Sequence, residues 1–335
     1  MKTGRKESAA VLAEHSKSFA LAGRLFPPGP REDAAAVYAW CRLSDDAIDL
    51  APRGAKALAL LAERERLGRV YADADPGDPI LRAFQEVVRD RRIPACYPEE
   101  LLEGLAMDAD CRRYETLEDL LLYCYRVAGT VGLMMCHVMG VSDPRGLRHA
   151  AHLGMAMQLT NISRDVLEDW GRGHVYLPDD LLGTRAADAL WQACREARHR
   201  SSGSGQPLLD TPDRLGEPQL PRHLEPELRR AVQRLLAHAG QLYRSGEAGM
   251  RWLSWRCALS VRTARYVYAE IGDVIDARGH DVWQGRAVVP TSRKLQLVAR
   301  AFWDGVRETP ARLACSARPE VPSVALPYSP DLASY

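Results

Sequence analysis

The chain has 335 residues, 46% of them hydrophobic and 27% charged, and its 45 basic side chains all but balance 44 acidic ones, for a net charge of +1. That length allows one large domain or two ordinary ones, and the charge balance leaves no global field to draw in nucleic acid, so no nucleic-acid partner is expected. Phe is scarce, at four residues, while Ala, Leu and Arg abound, a composition that favours helices over sheets.

The opening "MKTGRKESAAVLAEHSKSF" has no long apolar core, so no secretory signal is read there. After a break at "PPGPRE", residues 33–50 run at helical period, with Asp33 as the expected cap. Residues 116–140 start at a Thr116 cap with Asp119 three positions on, a variant of the capping box. They contain the longest apolar run, "VAGTVGLMMCHVMGV" at 127–141. It is shorter than a normal membrane span and carries His137, so a buried core helix is expected. Residues 146–173 repeat small and apolar side chains at three and four and stop at glycines. Two more long helical patterns follow at 225–249 and 253–279, and neither an alternating strand pattern nor a βαβ rhythm occurs.

Two segments break this pattern. Residues 199–227, rich in Ser, Gly and Pro, read as a mobile surface loop rather than a domain boundary, because similar helices flank them. The last 20 residues, 316–335, read as a disordered tail. A single all-α domain over residues 1–310 is therefore expected. Cys41, Cys96, Cys111, Cys124, Cys136, Cys194, Cys257 and Cys315 form no C-x-x-C pair and fit no zinc spacing. They point to a reducing cytoplasm, where they act as small core residues.

The chemistry lies in a long-range echo. In "CRLSDDAIDL", residues 41–50, Asp45 and Asp49 are four apart; in "NISRDVLEDWGRGHVYLP", residues 161–178, so are Asp165 and Asp169. On a helix, positions i and i+4 lie one above the other. Tyr38, Arg42, Asp45 and Asp49 thus form one polar stripe, and Gln158, Asn161, Asp165 and Asp169 a second. Like charges so placed cost a few tenths of a kcal/mol in water and more where the face is buried. The apolar flanks around Trp40 and around Met155 and Met157 suggest that both faces point inward. One such pair alone is ordinarily a solvated face. Two pairs, each with an arginine beside it (Arg42 and Arg164), suit a diphosphate bridged by Mg²⁺, a cation that is held by one or two carboxylates together with substrate phosphates.

These two stretches resemble the paired aspartate-rich motifs of the squalene and phytoene synthase family, head-to-head prenyl transferases of the all-helical isoprenoid synthase fold. "HSKSFALAGRLFP" (15–27), "YCYRVAGTVGLMM" (123–135) and "GRAVVPTSRKLQLVARA" (285–301) agree in matching order. The resemblance covers residues from about 10 to 305, and bacterial phytoene synthases are the nearest in wording. It implies a single helical bundle around a central cavity. Mg²⁺, with Mn²⁺ as substitute, would be held by Asp45, Asp49, Asn161 and Asp165, and Asp169 would complete the second motif. His15, Ser16, Lys17 and Ser18 would contact diphosphate, a role that suits a hydroxyl and ammonium cluster, although such a stretch is otherwise a helix cap. Tyr38, Arg42, Gln158, Arg164 and Tyr268 would do the same, with Arg164 able to grip phosphate through two donors. Arg286, Arg293 and Lys294 would close over the phosphates or stand solvated. Tyr123 and Tyr125 would face the reacting chains, where aromatic rings stabilise cations. Gly129 and Gly132, costly inside a helix, would admit either the hydrocarbon or a neighbouring helix.

The activity implied is Mg²⁺-dependent condensation of two prenyl diphosphates, two geranylgeranyl diphosphates giving phytoene, in carotenoid biosynthesis. Squalene or dehydrosqualene synthesis from farnesyl diphosphate is the alternative. Neither a dinucleotide fingerprint nor a C-terminal membrane anchor is visible, so no NADPH-dependent step is expected; release of an apolar product implies peripheral membrane contact by a cytoplasmic enzyme. A single-substrate terpene cyclase fits "NISRDVLED" poorly, because its second metal motif carries Ser/Thr and Glu at other spacings. A non-catalytic scaffold relative would have no need of both acidic pairs.

Overall fold

The computed structural model describes residues 2–141, 143–202 and 220–313, with fourteen α-helices and no strand among them. In chain order these are Lys2–His15 (α1), Lys17–Gly23 (α2), Pro28–Asp49 (α3), Lys56–Tyr71 (α4), Pro79–Arg91 (α5), Cys96–Ala109 (α6) and Leu117–Cys124 (α7). Thr130–Met139 (α8), Pro144–Gly171 (α9), Asp179–Leu182 (α10), Thr184–Ser202 (α11), Glu225–Ala248 (α12), Trp255–Ala277 (α13) and Thr291–Leu313 (α14) complete them.

Asp33 does not cap α3. The helix starts five residues earlier, at Pro28, because a proline at the first helical position has the right φ and no N–H to satisfy. Asp33 is instead buried inside the helix and binds Arg5 at 2.7 Å and Arg91 at 2.7 Å, tying α1, α3 and α5 together. The capping box at Thr116 is present: its hydroxyl accepts from the Asp119 N–H at 3.2 Å, and the Asp119 carboxylate accepts from the Thr116 N–H at 3.1 Å.

From that cap, α7 passes through a π turn at Tyr125–Gly129 into α8. By length and composition Leu117–Met139 could cross a membrane, but 56% of its most apolar window is buried in the bundle, so it forms a core layer here. The glycines explain how closely the π turn and α8 meet α9. A Cβ on Gly132 would lie 2.4 Å from the Ala150 carbonyl oxygen, and one on Gly154 would lie 2.1 Å from that of Ala128. Helix–helix approach is thus the reason for Gly132, which also borders the central cavity.

The loop expected over 199–227 is helical at both described ends: α11 runs to Ser202, and a 3₁₀ turn, Arg222–Leu224, leads into α12. Its remainder, 203–219, and the tail at 316–335 lie outside the described residues. Cys124, Cys136, Cys194 and Cys257 are buried, in keeping with a core role.

Long α9 is the spine, packing against α8, α12 and α13. Beside it runs a cavity of about 460 Å³. Gly146, His149, Leu153, Met157 and Asn161 follow its wall at helical spacing. At 1.5 Å per residue this wall is about 22 Å long. Apolar side chains of α2, α6, α8 and α13 line most of it; Tyr38, Arg42, Asp45, Gln158 and Asn161 gather at the Asn161 end, while Arg31, His149 and Ser260 border it elsewhere.

Candidate active site

At the polar end, α3 contributes Tyr38, Arg42 and Asp45, α9 contributes Gln158 and Asn161, and α13 contributes Tyr268. Opposite them, α6 and α7 bring in Asp108 and Tyr123. Arg42 donates to Asp45 at 3.2 Å and to Asp46 at 3.0 Å, so Asp46, on the neighbouring face, shares the arginine. Arg164 forks onto Asp165 with bonds of 2.7 and 2.5 Å, and Arg286 approaches the same carboxylate at 3.3 Å. Each acidic motif therefore neutralises itself with guanidinium groups that a diphosphate would compete for.

Burial, and then Asp49, pushes the Asp45 carboxyl up to about 6. Asp169 is raised well above the ordinary range by burial and by Asp165. Asp108 is raised to about 7, mainly by burial, although two tyrosine hydroxyls favour its ionised form. Tyr123 donates to it at 2.8 Å and Tyr176 at 2.7 Å, and the two rings stack with centroids 5.1 Å apart. Asp108 feels the charges of Asp45 and Asp49, and Asp169 feels that of Asp108. The two acidic faces thus converge around one buried carboxyl instead of standing on opposite walls.

The donor set suits a hard divalent cation. It is all oxygen, and the Asn161 Oδ1 atom is buried with no hydrogen-bond partner, while its amide donates to Gln158 at 3.3 Å. A buried acceptor left unpaired is costly, and Mg²⁺ would satisfy it. Among the described residues no three His, Cys, Asp or Glu side chains close on one point, so substrate oxygens would have to complete any such centre.

The sequence matches the model of the Squalene/phytoene synthase family over residues 12–201 and 211–293. This chain belongs to the squalene/phytoene synthase family. It is 36% identical over 307 residues to the 15-cis-phytoene synthase of a Paracoccus species, covering 90% of this chain and 91% of the relative. With the 15-cis-phytoene synthase of Enterobacter agglomerans it shares 38% over 307 residues, covering 89% and 95%. A ligand-bound dehydrosqualene synthase superposes with a TM-score of 0.71 at 26% identity, covering 92% of this chain and 98% of that one. A squalene synthase from Alicyclobacillus acidocaldarius, at 23% identity and a TM-score of 0.67 over 83% and 95%, shares the fold. The architecture is therefore the isoprenoid synthase fold.

Within this squalene/phytoene synthase chain, some residues singled out by motif stand apart from the cavity lining. Asp49 is exposed at the end of α3, and neither Asp165 nor Asp169 borders the cavity. The second stripe is not a continuous ladder, because α9 is distorted at Asp165 (φ −104°, ψ 15°), which re-aims the last turn. His15 is exposed at the end of α1. Ser16 caps α2 by accepting from the Phe19 N–H at 3.2 Å. Phe19 in turn stacks on Tyr268 with centroids 5.1 Å apart, which joins the cap to the mouth. Ser18 is half-buried, and the Lys17 side chain lies outside the described residues.

Tyr125 does not face the cavity. It is buried on the α6 side, near Tyr97 and Glu100, since helical residues two apart point in nearly opposite directions. Arg293 pairs with Glu270 at 2.6 Å on the surface, and Lys294 is half-buried on the same α14 turn; of the three basic residues considered as a closing set, Arg286 is the one that reaches an acidic motif. Motif reasoning missed Asp108 and Tyr176. The available signal was Asp108 itself, three residues after Leu105 and seven after Leu101 on the apolar face of α6, a place where a charge has no packing role.

Proposed function

We propose that this chain is a Mg²⁺-dependent prenyl transferase that joins two geranylgeranyl diphosphates head to head into phytoene for carotenoid biosynthesis. What carries the reading is one cavity with Arg42, Asp45, Asp108, Gln158 and Asn161 at one end and mostly apolar walls along the rest. The names of the relatives at 36–38% identity support the product.

Asp45, Asp49, Asn161 and Asp165 would hold Mg²⁺, or Mn²⁺ in its place, and the cation would relieve charge on a diphosphate leaving group. Arg42, Arg164 and Arg286 would exchange their carboxylate partners for phosphate oxygens, with Lys17, Ser18 and His15 closing from α1 and α2. Tyr38, Gln158 and Tyr268 would orient the diphosphate. The first donor loses its diphosphate, and the double bond of the second attacks the allylic cation. Loss of a proton closes a cyclopropyl diphosphate. That intermediate ionises in turn, rearranges and loses another proton, leaving a linear hydrocarbon, two diphosphates and two protons. The balance needs no reductant, so NADPH has no role in this reading. Tyr123, fixed by its bond to Asp108, presents a ring to the cationic carbons, and the apolar walls exclude water that would quench them.

Farnesyl diphosphate is the second candidate donor, favoured by the likeness to a dehydrosqualene synthase. Purified protein given each donor, with Mg²⁺ or with chelator, separates the two by product mass. A C40 hydrocarbon and two diphosphates per product are expected from geranylgeranyl diphosphate. A C30 product alone would reverse the donor assignment, one diphosphate per product would indicate a cyclase, and no release under any condition would mean a non-catalytic relative. The setting proposed is the cytoplasm, at the membrane periphery.

A further inference from the structure

A cavity holding a long hydrocarbon needs an apolar exit, because the product has no favourable state in water. The end opposite the acids closes on Met139, Val141, Met250 and Leu253. Met250 and Leu253 bracket the start of the segment Arg251–Arg256, "RWLSWR", which runs from the link between α12 and α13 into the first turn of α13. The outer side of this segment differs from the rest of the surface. Trp255 is 36% exposed and meets Phe302 of α14 edge-on at 5.7 Å, and Phe302 meets Trp303 at 6.0 Å. Trp303 is 62% exposed and Val306 40%. Trp252 stacks on the cavity-lining His149 at 5.2 Å and carries the Arg251 guanidinium 4.2 Å from its ring centre.

Basic groups outnumber acidic ones around these rings. Arg251, Arg256, Arg300 and Arg307 are exposed. Two acids stand among them, and both are already engaged: Asp304 is half-buried, accepts from the Tyr266 hydroxyl at 2.7 Å and lies 3.7 Å from Arg300 and 4.0 Å from Arg307, while Asp143 accepts from the Trp252 indole N–H at 3.3 Å and pairs with Arg145 at 2.7 Å.

We infer that the Arg251–Arg256 segment and the Phe302–Arg307 stretch of α14 form a face that docks on an anionic lipid bilayer, placing the hydrocarbon end of the cavity against the membrane. The inference rests on the proposed hydrocarbon product. Trp side chains partition to the membrane–water boundary, and arginines around them match anionic headgroups. A second copy paired by two-fold symmetry would set arginine against arginine.

The test uses the full chain spun with phosphatidylcholine vesicles and with vesicles also containing phosphatidylglycerol. The protein is expected to pellet with the anionic vesicles. Partition should fall about fivefold for Arg251→Gln and for Arg256→Gln, and by about tenfold or more for Phe302→Ser with Trp303→Ser. Trp303→Ser alone, at an exposed side chain, is the milder variant should the pair unfold, and a clear drop is expected from it too. Leu58→Ser with Leu61→Ser, at exposed leucines of α4, should bind as the parent does. Diphosphate release in detergent micelles should be unchanged in every variant.

A parent chain that stays in the supernatant, or α14 variants that pellet like the parent, would overturn the inference. So would a solution dimer that Trp303→Ser dissociates without any vesicle binding, which would assign the face to a second copy. Vesicle binding as described without diphosphate release would leave the docking face standing and remove the catalytic reading; the converse would remove only the face.

Discussion

Asp108 sits where two acidic motifs and two tyrosine hydroxyls meet, and its carboxyl is held up to about 7 by burial. In an unfolded chain an aspartate titrates at about 4. Below that value the group is neutral in both states and costs nothing. As pH rises, the unfolded chain ionises first, so Asp108 withdraws stability progressively up to about 7 and by a constant amount beyond. Asp108→Asn removes this cost. The melting temperature of the variant relative to the parent should therefore rise between about pH 5 and about pH 8; a flat difference would show that Asp108 ionises freely. Diphosphate release by the same variant should drop at least about tenfold, because Tyr123 and the charge balance of the site both depend on the carboxylate. Asp49→Ala and Asp165→Ala should each lose nearly all turnover with unchanged circular dichroism. Near-normal rates in either would remove that residue from the proposed metal ligands.

At the scale of helices, the contact of α9 with α8 and the π turn before it is set by backbone against backbone. Gly154→Ala would place a Cβ 2.1 Å from the Ala128 carbonyl oxygen, which only a shift of the helix pair can relieve. A loss of about 1–3 kcal/mol is expected in denaturant unfolding. The same substitution at Gly68, in α4 with nothing within 4 Å of the new atom, should stabilise by about 0.5–1 kcal/mol. Equal effects at the two glycines would refute helix approach as the reason for Gly154. A cavity wall formed by α9 also means that separating α8 from α9 opens the cavity, so Gly154→Ala should lower turnover more than its stability loss alone explains.

For the whole molecule, the acidic end is a region of stored electrostatic cost. Asp45 and Asp108 are both raised, and the guanidinium groups of Arg42 and Arg164 offset only part of the repulsion. A divalent cation together with diphosphate should raise the melting temperature more than either does alone, because each completes the other's ligand set. The gain should be larger at about pH 8 than at about pH 5, where Asp45 and Asp108 are mostly protonated. Calorimetry with Mg²⁺, with inorganic diphosphate and with both would decide. Diphosphate acting as strongly without Mg²⁺ would show that the arginines alone bind it.

Local patterns determined much of this protein. Helical period, the Thr116–Asp119 box and the glycine stops are short-range, and they specify an all-α chain and most of its long helices wherever the chain folds. The spacing of Asp45 and Asp49, and of Gln158 and Asn161, is local too, so these residues could be picked out before their neighbours were known. What a one-dimensional pattern cannot hold is distance between helices. The apposition of the two motifs around Asp108, the distortion of α9 at Asp165 and the burial of Asp33 between Arg5 and Arg91 all arise from packing. Only the folded chain brings Asp108 of α6 within reach of Asp45 and Asp49 and of the hydroxyls of Tyr123 and Tyr176, and there burial raises an aspartate that no motif singles out.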